Sequence, residues 1–253
     1  MERPPSDTSG YYVNDFLTLP GQWRPQCCWE HIAWVSPPWP SQFYLWLDFP
    51  EAVFCDQGNL FLSHINTDFP ALFPDLPAVT WSSFPAGLSV TRKLPNGVEF
   101  ESRLEKRGTD SIGLQLQLRN GSDLPVRHLR VQTCTYMRAI KEFSDLTNDN
   151  KYVCGTGTGW TRLEDWKACR DTPGTAAGIP VIATCSSEGE RLVGMTWFQD
   201  TERIWGNAQH PCMHADPGCR DLEPGENAKM EGALFFFEGS LGEFAEWFRA
   251  EYE

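Results

Sequence analysis

Ile112-Gly113-Leu114-Gln115-Leu116-Gln117-Leu118-Arg119 alternates apolar and polar residues without a break. Side chains on a strand point to opposite faces in turn, so this run predicts a strand with one buried and one wet face. The pattern extends in both directions. Upstream, Leu88–Leu94 runs through the turn signal Pro95-Asn96-Gly97 into Val98–Leu104, where Val98, Phe100, Ser102 and Leu104 share a face. Downstream, Asn120-Gly121-Ser122-Asp123 reads as a loop, and Val126–Tyr136 resumes the alternation with Leu129 and Val131 inward. Strands joined by short turns at this spacing predict an antiparallel sandwich.

Further strands are expected at Phe43–Asp48, Ala52–Cys55 and Asn59–Ile65, bounded by Pro50-Glu51 and Gln57-Gly58. Pro180–Cys185, Arg191–Phe198 and Ala228–Phe237 complete the set. The last follows Leu222-Glu223-Pro224-Gly225-Glu226, where Pro then Gly suits a type II turn. Pro70, Pro74, Pro77 and Pro85 make 66–86 a long loop, and Lys141–Leu146 reads as a helical turn. Residues 240–252 read as a helix: Ser240 caps it, and Leu241, Phe244, Ala245 and Phe248 fall on one face. Residues 1–40 are broken by Pro20-Gly21, Pro25, Pro37-Pro38 and Pro40, yet rich in Trp and Phe. They are expected to form an extended arm packed on the body, with one short strand near His31–Val35. The fold expected is therefore all-β: a large antiparallel β-sandwich over 41–253, with that arm and a C-terminal helix.

Composition bounds the function. The 253 residues carry a net charge of −13, and no Lys/Arg cluster is present. Nucleic-acid affinity rests on cations that neutralise phosphates, so no nucleic-acid partner is expected. A neutral or cationic small ligand fits this charge better. No apolar run reaches 18 residues, so no membrane-spanning helix is expected. The first seven residues lack the apolar core of a secretory signal, which points to the cytoplasm; a trimmed export signal would move the protein to the periplasm or outside. The nine cysteines are odd in number, irregularly spaced and without a Cys-x-x-Cys pair, so they read as reduced thiols with no structural zinc site signalled. Eleven tryptophans leave room for core packing and for stacking on a sugar ring. Gly155–Gly159 resembles a phosphate loop only superficially, since it lacks the Lys-Ser/Thr that follows one.

Two clusters carry chemistry. The first is His64-Ile65-Asn66-Thr67-Asp68, at the end of a strand, where His64, Asn66 and Asp68 share one side if the strand persists. The second is Trp205-Gly206-Asn207-Ala208-Gln209-His210-Pro211-Cys212-Met213-His214-Ala215-Asp216-Pro217, read as a loop from its two prolines and glycine. Imidazole titrates near neutral pH, so His64, His210 or His214 would serve as acid or base. Asp68 and Asp216 would orient them, Asn66 and Asn207 would bind hydroxyls, and Trp205 or Trp160 would stack beneath a ring. Two rivals stay open. His214-x-Asp216 with His210 would hold a divalent metal ion. Cys212, between two histidines, would be a nucleophile.

Leu114–Val126 with Leu129–Gln132, and Asp221–Glu226 with the strand through Phe237, resemble strands of the galactose-mutarotase-like supersandwich proteins. That resemblance implies a large antiparallel sandwich and a carbohydrate ligand. It also implies chemistry of the epimerase, lyase or hydrolase type, or a non-catalytic carbohydrate-binding module. The family's catalytic His and Glu motifs are not recognisable in this sequence. No organic cofactor is expected, and neither sequence nor resemblance fixes an oligomeric state.

Overall fold

A computed structural model describes residues 18–21, 30–41, 43–64, 76–154, 159–166, 179–218 and 220–252. Asn66, Asp68 and the core of the glycine run at 155–158 lie outside the described residues. Two antiparallel sheets form the body. The first contains β1 (Thr18–Gly21), β2 (Ile32–Val35), β3 (Leu45–Cys55), β4 (Gly58–Phe61), β9 (Val126–Tyr136), β14 (Thr201–Asn207), β15 (Cys212–Pro217) and β16 (Arg220–Leu222). Its order is β1-β2-β3-β9-β15-β14, with β4 paired to β3 and β16 to β9.

The second sheet contains β5 (Ser82–Phe84), β6 (Gly87–Lys93), β7 (Val98–Arg107) and β8 (Ser111–Asn120). It is completed by β10 (Lys151–Cys154), β11 (Trp160–Arg162), β12 (Val181–Cys185), β13 (Arg191–Thr196) and β17 (Asn227–Glu238). Its order is β11-β10-β12-β13-β17-β8-β7-β6-β5.

The alternation in β8 is realised as read. Ile112, Leu114, Leu116 and Leu118 are buried, while Gln117 and Arg119 are exposed. They meet Leu47, Phe49, Val53 and Val131 of the first sheet in one core. The sheets also touch through polar atoms: the Trp197 Nε1–H donates to Thr133 Oγ1 at 3.3 Å. From Gly232 to Phe236 β17 is buried on both faces, which explains its unbroken apolar run Ala233–Phe237. Leu234 and Phe236 enter the main core, and Ala233 and Phe235 pack under α1 (Leu241–Tyr252) against Phe244 and Phe248. The cap of α1 is reciprocal. The Glu243 N–H donates to Ser240 Oγ, and Glu243 Oε2 accepts from the Ser240 N–H at 2.8 Å. The turn at 223–226 is the type II turn expected: Gly225 has φ +80° and the Glu226 N–H donates to Glu223 O.

Two readings change. Pro50-Glu51 does not separate two strands: β3 runs through it with a bulge, Asp48 opposing Cys134 and Ala52 opposing Gln132. The extra residues are absorbed by local bending of one strand against its partner. Ser82–Phe84 is an edge strand on β6 rather than loop. The strand expected near His31–Val35 is present as Ile32–Val35, and Thr18–Gly21, which the sequence did not signal, pairs with it in the first sheet. Among the described residues no helix is long and apolar enough to cross a membrane, and the five described cysteines are free thiols.

His31 sits wholly inside, against Trp81 and Phe100, with its Nε2–H donating to Phe49 O at 2.5 Å. Burial, and then the Arg92 charge, push its pKa well below the ordinary imidazole value. The folded protein keeps His31 neutral while the unfolded chain protonates near 6.5, so its contribution to stability is lost as pH falls below that value. Between pH 7 and 5, the unfolding free energy of the native protein should drop relative to His31→Gln, by up to about 1.4 kcal/mol per pH unit. Parallel slopes would contradict a neutral buried His31. Urea unfolding should likewise show Leu116→Ala costing about 2–5 kcal/mol, and Gln117→Ala on the wet face of β8 under about 0.5.

Candidate functional site

The outer face of the first sheet, opposite its core face, carries the polar groups. The Trp205–Pro217 stretch read as a loop is a hairpin, β14–β15, turning at Ala208–Pro211. Pro211 lies in the turn and Pro217 at the end of β15, so neither breaks the ladder. Gly206 sits within β14 because a Cβ there would meet Leu163 Cδ2 at 2.6 Å and Asn148 Oδ1 at 2.8 Å. Period two then sorts β15. Met213 and Ala215 join the core, while Cys212, His214 and Asp216 turn to the outer face.

The neighbouring strands continue this arrangement. One row across the sheet pairs Trp46 with Tyr136, Tyr136 with Cys212, and Cys212 with Asn207. In the next row Asp48 opposes Cys134, and His214 opposes Trp205. The bulge in β3 brings Glu51 to the same face as Asp48, although an odd offset would separate them on a regular strand.

Glu51 is the centre of the group. Its Oε1 lies 3.5 Å from His64 Nδ1, and its Oε2 lies 3.5 Å from His214 Nδ1 while accepting from Gln132 Nε2 at 2.6 Å. The two histidine clusters of the sequence therefore meet on one carboxylate. The Glu51 side chain is 8% exposed and that of His64 41%, so His64 is the member of the trio in contact with solvent.

His214 is fixed at both nitrogens. Its Nδ1 is 2.9 Å from Thr133 O and its Nε2 is 3.4 Å from Cys212 Sγ. With Nδ1 facing a carbonyl, that nitrogen carries a proton and Nε2 faces the thiol. The Trp205 ring lies flat on the imidazole, 3.6 Å between centroids. Asp216 secures the stack by accepting from Trp205 Nε1–H at 2.8 Å and from the buried Thr133 N–H at 2.9 Å.

Burial and pairing contest every charge here. Burial raises the pKa of Asp216, against the His214 charge and its two hydrogen bonds. It raises Glu51 against His214 and Gln132, and lifts Asp48 further, with Glu51 adding to the effect. The hydrogen bond from Cys134 lowers Cys212 most; burial opposes, and His214 and Lys151 help bring it to about 4. Cys134 is pushed well up by the same bond and by burial. Burial alone would lower His214, but Cys212 and the Glu51 charge carry it up to about 9. Both shifts run in the direction that favours a thiolate on Cys212 beside a protonated His214.

The remaining residues read from the sequence do not offer themselves to a ligand in the way expected. His210 is on the exposed turn, its ring 6.4 Å from that of Tyr136. Asn207 shares the outer row, but its Oδ1 caps the turn by accepting from Gln209 N–H. Trp205 supports His214 rather than offering that ring face to a ligand. Trp160 is on the second sheet, stacked at 5.7 Å on Phe244 of α1. The metal set His210, His214, Asp216 is not assembled, because His210 is on the turn and both Asp216 oxygens are engaged. Among the described residues two other groups converge closely enough for an ion: Cys134–Cys212–His214 and Asp48–Glu51–His64. The sequence reading missed Glu51, Asp48, Cys134, Trp46 and Tyr136. Two acids within the apolar run Leu45–Phe54 were the available signal.

Removing the Asp216 carboxylate should unpair both donors. Asp216→Ala is expected to lower stability by roughly 1–3 kcal/mol for the buried Thr133 N–H alone. A urea midpoint equal to that of the native protein would show that these bonds do not hold the hairpin.

No protein-family model matches the chain, and neither does any curated protein. Among solved structures the chain is similar, at low identity, to several proteins described as aldose epimerases or galactose mutarotase related. One, solved as an aldose 1-epimerase candidate from Escherichia coli K12, is 8% identical with a TM-score of 0.49, covering 82% of this chain and 96% of that one. A galactose mutarotase related enzyme from Lactobacillus acidophilus is 8% identical with a TM-score of 0.48, covering 83% and 91%. An aldose epimerase homologue from C. elegans is 8% identical with a TM-score of 0.44, covering 76% and 79%.

Proposed function

We propose that the outer face of the first sheet binds a carbohydrate and that Glu51 and His64 exchange protons with it. The observation that carries this reading is the Glu51 carboxylate held between two imidazoles, 3.5 Å from each. Glu51 is buried and braced by Gln132, so it is positioned as a base. His64 is the exposed partner and relays the proton to and from solvent. His214, locked at both nitrogens, orients Glu51 rather than reaching a substrate itself. Beside them, Trp46 and Tyr136 are half-buried aromatics whose rings lie 5.7 Å apart. Such rings offer flat apolar faces for a sugar. The resemblance of the Leu114–Gln132 and Asp221–Phe237 stretches to the galactose-mutarotase-like proteins points to the same ligand class. The reaction type would be an epimerisation, elimination or hydrolysis.

A panel of mono- and oligosaccharides, followed by proton NMR for binding and turnover, tests this. Glu51→Gln and His64→Ala should each cut turnover by about 10²–10⁴-fold and leave sugar binding within a few-fold. Trp46→Ala should weaken binding. Saturable binding without turnover would assign the face to a binding module. Failure of every sugar to bind, or turnover unchanged in Glu51→Gln, would overturn the proposal.

A further inference from the structure

We infer that Cys134, Cys212 and His214 form a binding site for a zinc-class divalent ion, with a fourth position left for water or a ligand oxygen. The three donor atoms lie within 4.8 Å of one another on adjacent strands. The Cys212 Sγ to His214 Nε2 distance is 3.4 Å. A tetrahedral zinc ion with bonds of about 2.3 Å to sulfur and about 2.0 Å to nitrogen holds those atoms about 3.5 Å apart, so little movement is needed. The histidine is also set up as a ligand. Its Nδ1 is pinned by Thr133 O at 2.9 Å and faces Glu51 at 3.5 Å, which turns Nε2 toward the sulfurs. A carbonyl or carboxylate on the far nitrogen is the usual orienting contact of a metal-bound imidazole. Trp205, flat on the ring, removes its remaining freedom.

The two thiols are better placed for an ion than for a disulfide. Cys212 pairs across the ladder with Tyr136, two residues from Cys134, so the cysteines are diagonal neighbours. Diagonal positions on antiparallel strands are typically about 7–8 Å apart, at or beyond the Cα separation of about 7 Å that a disulfide spans. Two thiolates and an imidazole suit zinc among common divalent ions and disfavour magnesium and calcium, which take oxygen ligands. On binding, the protons shared among the two thiols and His214 Nε2 leave to solvent, so that both sulfurs and Nε2 are free to ligate. The site adjoins the Glu51–His64 pair but does not depend on its chemistry.

Cobalt(II) added to metal-free full-length protein reports the site directly. One equivalent should bind with a thiolate-to-cobalt charge-transfer band and be displaced by zinc. Cys134→Ser, Cys212→Ser and His214→Ala should abolish the band, while Cys55→Ser and Cys154→Ser keep it. Glu51→Gln should weaken cobalt affinity by about 10–100-fold through the lost contact to His214. X-ray absorption of the zinc-loaded native protein avoids any folding defect of the variants. It should show two sulfurs at about 2.3 Å and a nitrogen at about 2.0–2.1 Å. No stoichiometric binding, or a shell of oxygen and nitrogen alone, would overturn the inference; the second result would place the ion at Asp48–Glu51–His64. A four-sulfur shell, or a band that survives Cys212→Ser, would overturn it too.

Discussion

Everything on the outer face of the first sheet follows from one electrostatic requirement: ionisable side chains taken out of water must satisfy one another. Asp48, Glu51, Asp216 and His214 are each at most 9% exposed. A lone charge so buried is very costly, and an unpaired donor or acceptor costs less but still about 1–3 kcal/mol. For Glu51, His214 and Asp216 the solution is a connected set completed by Thr133, Gln132, Trp205 and Cys212, whereas Asp48 is held by Ser63 and keeps Oδ1 without a hydrogen-bond partner. The bulge in β3 makes the set possible, because it turns Glu51 to the side where His64 and His214 wait.

The architecture separates two tasks. The second sheet is covered on one side by the common core and, over Ala233 and Phe235, on the other by α1; beyond the helix its outer face is wet at Gln117, Arg119, Lys229 and Glu231. The first sheet shares the core but keeps its other face polar. Thr133 and Thr135 link the layers: their side chains reach Trp197 and Met195 across the core, while Cys134 between them faces outward. Strand β9 thus ties the packing of the sandwich to the position of the polar group.

Much of the fold was legible in the sequence because its signals are local. The Ile112–Arg119 alternation, the Pro224-Gly225 turn and the amphipathic run from Leu241 each declare their structure within a few residues. The polar cluster was half legible. His64 and His214 were found by residue type, and Cys212–Asp216 alternates polar and apolar as plainly as β8 does. Two prolines and a glycine masked that alternation, since their breaking effect depends on where in the ladder they fall. Pro211 falls in the turn, and Gly206 is needed for close packing. Glu51 and Cys134 could not be placed from neighbours in sequence. One depends on a bulge set by the partner strand, and the other on a register between strands nearly eighty residues apart.

The central claim is that His64 and His214 serve one ligand-binding face through Glu51. Imidazole and indole NMR resonances, followed during titration with the sugar panel, address it most directly. A true ligand should shift His64, His214 and Trp205 together along one saturating curve, with His128 and Trp160 unmoved. Shifts centred on Trp160, or independent curves for His64 and His214, would contradict the account.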